Sequence, residues 1–157
     1  LGNVRSLRKQ LDAETTRAQS LGHPLSLLFL DLDHFKAVND THGHLVGSAL
    51  LREVGGLLRE ELRPVDAAFR YGGDEFAVML VEVDTKYAVL TAERILTRFR
   101  AHRFGRPSGL DLRVTASVGV AACPEHALQS TELIEAADRA MYLMKSRGRD
   151  GLAVASP

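Results

Sequence analysis

Cys123 is the only cysteine among the 157 residues, so no disulfide can form within the chain. No apolar run approaches the ~18 residues that a membrane-spanning helix needs, which together with the single cysteine points to the cytoplasm and away from membrane contact. Nor is there an excess of charge of either sign. Twenty basic residues balance twenty acidic ones. This excludes a broad field suited to polymeric nucleic acid or an anionic bilayer and leaves anion binding to local clusters, with small phosphates as fitting partners. Internal repeats and low-complexity stretches are also missing. What the chain does have is 45% hydrophobic and 25% charged residues, enough to bury the core of one domain over residues 1–157.

Leu7, Leu11 and Ala18 recur at helical spacing and predict a first helix that stops at Gly22 and Pro24. Leu25 to Leu30 is an unbroken apolar run, as expected of a strand buried on both faces, and it delivers Asp31 and Asp33 at its C-terminal end. After Gly43 the positions Val46, Leu50, Val54, Leu57 and Leu58 predict an amphipathic helix running to about Leu62, ended by Pro64. A further helix is expected from about Thr85, burying Ala88, Ala92, Ile95, Leu96 and Phe99, and broken by the polar residues from His102 to Gly109. Leu112 to Ala122 reads as a strand, and Ser130 as the N-cap of a last helix carrying Leu133, Ala137, Met141 and Met144, with Gly148 just past its end. The order predicts an α/β (α+β) layer, with helices packed on a mixed, largely antiparallel sheet.

Between Ala67–Tyr71 and Phe76–Val81 lie Gly72 and Gly73, which predict a tight hairpin using positive φ. Without a Cβ, both would let a ligand's phosphates approach the backbone, while Asp74 beside them could hold a divalent cation. The whole stretch, Arg70-Tyr71-Gly72-Gly73-Asp74-Glu75-Phe76, resembles the signature of the GGDEF domain, the diguanylate cyclase family. The resemblance covers nearly the whole chain. Leu1-Gly2-Asn3 resembles the end of the family's N-terminal motif and LDLDHFKAVNDTHGH its first catalytic strand and loop. VTASVGVA resembles its later strand, and MYLMKSRGRD its C-terminal phosphate-binding helix.

That resemblance implies the palm-like, ferredoxin-type nucleotidyl cyclase fold and an enzyme condensing two nucleoside triphosphates into a 3′,5′-cyclic dinucleotide with release of pyrophosphate. It implies two divalent cations (Mg²⁺ or Mn²⁺) per half-site, held by Asp31 and Asp74 with the Leu32 carbonyl between them. Glu75 is implied as a second metal-side or hydroxyl-side carboxylate, and Lys36 completes the catalytic set. Hard oxygen ligands from two strand ends suit Mg²⁺. Lys36, Lys145 and Arg149 match the family's triphosphate contacts, the backbone amides of His34 and Phe35 would add donors, and Asn39 matches its base-reading amide. Each subunit would bind one triphosphate, so catalysis requires a homodimer. Arg63 and Asp66 match the family's inhibitory RxxD site for the cyclic dinucleotide product, and Arg94 aligns with another arginine of it. The chain would then be the C-terminal output part of a longer regulated protein.

Several residues keep a second reading. Arg63 with Asp66 also reads as a helix-terminal salt bridge, and Lys145 and Arg147 as a basic helix end favoured by the dipole. His42 and His44 without a third ligand read as hydrogen-bonding loop residues rather than a metal site. One position departs from the family's G-H-x-x-G-D pattern. Here the sequence is Gly43-His44-Leu45-Val46-Gly47-Ser48, with serine where the family's guanine-reading aspartate stands. Ser48 resembles the hybrid branch, which uses GTP and ATP and makes cyclic GMP-AMP alongside cyclic di-GMP. The alternatives are a strict diguanylate cyclase using two GTP, an inactive cyclic-dinucleotide-binding module, and a structural dimerisation domain.

Overall fold

The structure, a computed structural model, describes residues 1–156. Its helices are α1 (Val4–Leu21), α2 (Phe35–His42), α3 (His44–Glu61), α4 (Thr85–Ala101) and α5 (Ser130–Ser146). Its strands are β1 (Leu25–Leu32), β2 (Ala67–Arg70), β3 (Glu75–Val81), β4 (Ala116–Cys123) and β5 (Gly151–Val154). The sheet order is β2-β3-β1-β4-β5. All pairings are antiparallel except β4 with β5. This is the mixed, largely antiparallel sheet with flanking helices that the element order predicts.

The apolar run of β1 explains the layering. Every residue of the strand is buried, and because strand side chains alternate, the run divides between two faces. Leu28, Leu30 and Leu32 pack with Val54 and Leu58 of α3 and Ile95 and Phe99 of α4. Leu25, Leu27 and Phe29 pack with Leu7 and Leu11 of α1 and Leu133, Ala137 and Met141 of α5. A Cβ on Gly119 would run into the backbone of Ala137 and Met141, so glycine is what lets α5 lie directly on β4. Asp31 continues the odd-numbered set and so emerges under α5.

The first helix stops where expected, at a left-handed Gly22 (φ 70°), and starts at Asn3, whose side chain and that of Ser6 cap each other's backbone N–H. Residues Gly2 and Asn3 lie along the outer edge of β2, where the Gly2 carbonyl accepts the Arg70 amide at 2.8 Å. That contact covers an otherwise free edge.

Four expectations need correction. Neither Gly72 nor Gly73 uses a left-handed φ; the turn closes instead through the Tyr71 and Gly72 amides on the Glu75 carbonyl (2.8 and 3.3 Å). The N-cap of α5 is Gln129 rather than Ser130, which is the first helical residue and hydrogen-bonds the Asp12 carboxylate. The last β-branched stretch forms a strand only from Ala116, because Phe104 and Leu112 pair with each other across the preceding loop. Finally, α2 and β5 are two short elements that the apolar periodicity did not announce. No helix among the described residues is long and apolar enough to cross a membrane.

Candidate active site

Three chain segments meet at the C-terminal end of β1. Register places Asp31 opposite Glu75 of β3 on one side and Ser117 of β4 on the other, and the Leu32 amide donates to the Asp74 carbonyl at 3.1 Å. The β2–β3 turn therefore sits against the strand exit, with Asp31 and Asp74 as neighbours. Arg70, whose role within the heptad sequence reasoning passed over, clamps this turn: its guanidinium donates to the Gly72 carbonyl at 3.2 Å and the Gly73 carbonyl at 2.9 Å. A Cβ on Gly72 would come within 2.9 Å of a Glu75 carboxylate oxygen, which that side chain could relieve by turning aside, and Gly73 has open space beside it.

From above, α5 brings Lys145 down onto Asp31, with which it forms an ion pair. The ammonium also lies 5.2 Å from the centre of the Tyr142 ring. Asp31 is only 7% exposed, and its Oδ1 is buried without a hydrogen-bond partner. Burial pushes its carboxyl up to about 6; adjacent Asp74 pushes the same way, and Lys145 opposes. Glu75 is also raised, first by burial, then by the charges of Asp138 and Asp74. Burial alone would lower Lys145, but its contact with Asp31 overrides this and holds the ammonium above its usual range. Asp138, raised by burial, was missed by sequence reasoning. The signal was its position seven residues before Lys145, which puts both on the face of α5 turned to the sheet.

The donor set fits a divalent cation. Two carboxylates at adjoining strand ends, one with a buried and unsatisfied oxygen, are what Mg²⁺ accepts when substrate phosphates supply the remaining ligands. Among the described residues no group of three or more His, Cys, Asp and Glu side chains forms a cage sufficient by itself. His42 ends α2 and His44 begins α3, on either side of Gly43.

Further cations and backbone donors follow β1 and α5 in the chain. His34 adopts a left-handed backbone (φ 59°) and begins α2 without a side-chain cap, so the first-turn amides, including that of Phe35, have no side-chain acceptor. Lys36 is exposed on that same turn, where a cation opposes the helix dipole. An anion would reconcile the two. Arg149 follows α5 with a left-handed backbone (φ 66°), as does Asp150 (φ 46°); for residues with a Cβ each costs about 1–2 kcal/mol. Gly148 stands where expected, with φ 111°, and the Arg149 amide closes back on the Met144 carbonyl at 3.1 Å. Asn39 packs against Gly47, where a Cβ would collide with its Oδ1, and that buried oxygen has no partner. Ser48, next along α3, is exposed.

Arg63, Asp66 and Arg94 are brought together elsewhere, around a cavity of about 330 Å³ that Glu61, Glu82 and Tyr87 also line. Arg63 grips Asp66 through two nitrogens (3.0 and 2.8 Å) and donates to the Val81 carbonyl at 2.7 Å. Asp66 also accepts the amides of Arg63 and Val81, so it closes the α3–β2 connection besides facing the cavity. Arg94 pairs with Glu61 at 3.3 Å.

Residues 1–151 match the family described as diguanylate cyclase, GGDEF domain. The chain is 38% identical over 148 residues to diguanylate cyclase DosC of Escherichia coli K12, covering 94% of this chain and 32% of that protein. It is 37% identical over 157 residues to the response regulator PleD of Caulobacter vibrioides, covering 97% and 34%. It thus spans about a third of the length of these curated relatives. Among solved structures, the GGDEF domain of YfiN (TpbB) from Pseudomonas aeruginosa superposes with a TM-score of 0.95 at 32% identity, covering 100% of this chain and 98% of that one. The GGDEF domain of DgcB from Caulobacter crescentus, in complex with c-di-GMP, gives 0.93 at 31% identity, covering 100% and 90%. With its signature turn set against the β1 carboxylates and its match running almost end to end, the chain belongs to the GGDEF-domain family of diguanylate cyclases.

Proposed function

We propose that this domain joins two GTP molecules into cyclic di-GMP. In each of two equivalent steps the 3′-oxygen of one nucleotide forms a bond to the α-phosphorus of the other, the bond from that phosphorus to the bridging oxygen breaks, pyrophosphate leaves, and the hydroxyl proton passes to solvent or a carboxylate. The observation that carries this reading is Asp31, buried at a strand end with one unsatisfied oxygen, beside Asp74 and under Lys145. A divalent cation held by Asp31, Asp74 and the Leu32 carbonyl would supply charge neutralisation at the phosphorus and acidify the attacking hydroxyl.

The remaining roles belong to the chain. Lys145 exchanges Asp31 for the triphosphate once the carboxylate is otherwise engaged. Arg149, Lys36 and the amides of His34 and Phe35 take the outer phosphates, whose charge a point cation, a planar fork and helix-terminal N–H groups all stabilise. Gly72 and Gly73 keep the approach to the backbone open, and Glu75 faces the hydroxyl side. Asn39 is the amide that reads the base. One domain holds one triphosphate, so two domains must face each other, and the domain serves as the catalytic unit of a longer regulated protein of the cytoplasm. The cavity around Arg63, Asp66 and Arg94 takes the product as an inhibitor.

The test is pyrophosphate release from GTP with Mg²⁺: initial rate should rise faster than linearly with protein concentration in the dilute range and vanish with EDTA. No release at any protein concentration with Mg²⁺ or Mn²⁺ would favour the binding-module reading.

Ser48 supports a second reading, in which ATP also enters and cyclic GMP-AMP is made as well. Guanine offers N1–H and an amino group side by side, which a carboxylate accepts in pairs, whereas adenine offers a lone pair that a carboxylate repels; a serine hydroxyl suits either. The likeness to DosC, a diguanylate cyclase, favours the GTP-only reading.

A further inference from the structure

Two residues beyond Asp31, the same strand exit carries a second buried carboxylate that the reaction above leaves idle. Asp33 has a side chain only 1% exposed. Its Oδ1 accepts the Ser117 hydroxyl at 2.7 Å, and its Oδ2 accepts the Thr115 hydroxyl at 2.7 Å and the Asp150 amide at 2.9 Å. The Arg149 guanidinium stands 3.9 Å from Oδ1. One side chain thus ties the end of β1, the residues around the start of β4 and the turn that follows α5.

That turn holds three consecutive left-handed residues, Gly148 (φ 111°), Arg149 (φ 66°) and Asp150 (φ 46°), of which only the first is glycine. Left-handed residues with a Cβ persist where their surroundings over-determine them, and they concentrate at working sites. Two anchors do this here. Asp33 holds the Asp150 amide from the sheet side, and Arg100 of α4 holds the Asp150 carboxylate at 2.8 Å and carbonyl at 3.1 Å from the other.

We propose that Asp33 is a positioning residue for substrate binding: it holds the left-handed arch from Gly148 to Asp150 so that Arg149 faces the triphosphate. It also parks the Arg149 guanidinium until that anion takes it over. A carboxylate suits the task because three donors and a cation converge on it, and only an acceptor with two oxygens serves all of them. This inference rests on the reading in which Arg149 receives phosphate. Asp33 itself touches neither nucleotide nor cation in that scheme.

The experiment is a double-mutant cycle on binding of a non-hydrolysable GTP analogue, with steady-state KM and kcat measured alongside. Asp33→Asn should weaken binding by about tenfold, the worth of one misplaced charge-assisted contact, and raise KM more than it lowers kcat. On an Arg149→Ala background it should do nothing further. Arg100→Ala, at an exposed position that clamps the far side of the arch, should show the same background dependence; it stands in if Asp33→Asn does not fold. Weakened binding in Arg149→Ala with unchanged binding in Asp33→Asn, or in Arg100→Ala when that variant stands in, would overturn this inference alone. Additive losses, with a lowered melting temperature, would reduce Asp33 to a structural residue and overturn it too. Wild-type affinity in Arg149→Ala would remove the phosphate reading itself and this inference with it.

Discussion

The exit of β1 and the cavity beside α4 both gather acids and bases, yet they are balanced in opposite ways. At the strand exit Asp31, Asp74, Glu75 and Asp138 share Lys145, and an oxygen of Asp31 has no partner; burial raises Asp31, Glu75 and Asp138, and neighbouring acids push Asp31 and Glu75 further the same way. At the cavity every named charge is already answered: Asp66, 3% exposed, takes Arg63 and two amides, and Arg94 takes Glu61. The first region carries under-compensated negative charge, as expected of a site for the cation proposed above. The second is stable when empty. Its arginines are about half exposed (53% and 56%), so releasing them to a ligand costs little, while buried Asp66 stays fixed.

The sharpest way to break this contrast is to remove a carboxylate from the first region. Asp74→Asn and Asp31→Asn should each cut turnover about a thousandfold or more while far-UV circular dichroism stays unchanged. Near-native turnover in either would dissolve the cation assignment. Lys145→Ala should raise KM and lower kcat together, each by about tenfold, because a phosphate contact both binds substrate and stabilises the transferring group. Unaltered kinetics would leave Lys145 as a partner of Asp31 only.

In the second region, Arg63→Ala should raise the cyclic di-GMP concentration needed for half-inhibition by about tenfold with initial velocity within about twofold of wild type. Equal inhibition of both proteins would mean competition at the active site. The smallest effect is the most specific to the contrast. Because the folded pKa of Asp31 lies above the unfolded value, from 3.8 up to about 6, its contribution to stability is fully present below about pH 4 and is lost as pH rises through about 6. Asp31→Asn should therefore stabilise the metal-free domain by about 1 kcal/mol at pH 7, the Lys145 attraction being already contained in the raised pKa and solvent screening reducing the remainder, and by nothing below pH 4. A lower melting temperature at pH 7 would show that Asp31 carries no stored cost.

Much of this was legible in the chain itself. The run from Leu25 to Leu30 declares a strand buried on both faces, Gly22 declares a helix end, and the heptad at Arg70 declares a turn bearing acids. Short elements escape such reading. The eight residues of α2 follow a left-handed His34, and its single buried residue, Phe35, leaves no period to detect. Strand β5 has four residues and gains its place from parallel pairing with β4, a long-range contact. Asp33 was visible as an acid at a strand end, but its binding to Thr115, Ser117 and Asp150 joins residues more than eighty positions away, which local pattern does not encode. The positive φ expected at Gly72 and Gly73 failed because Arg70 and the Glu75 carbonyl close that turn by hydrogen bonds instead.

The most direct test of the central claim is the mass of what the domain makes from GTP alone and from equal GTP and ATP, with Mg²⁺ and at protein concentrations that favour pairing. Cyclic di-GMP is expected from GTP alone and as the main product of the mixture, with none from the Asp74→Asn protein. Intact GTP after prolonged incubation of the wild type would contradict the claim.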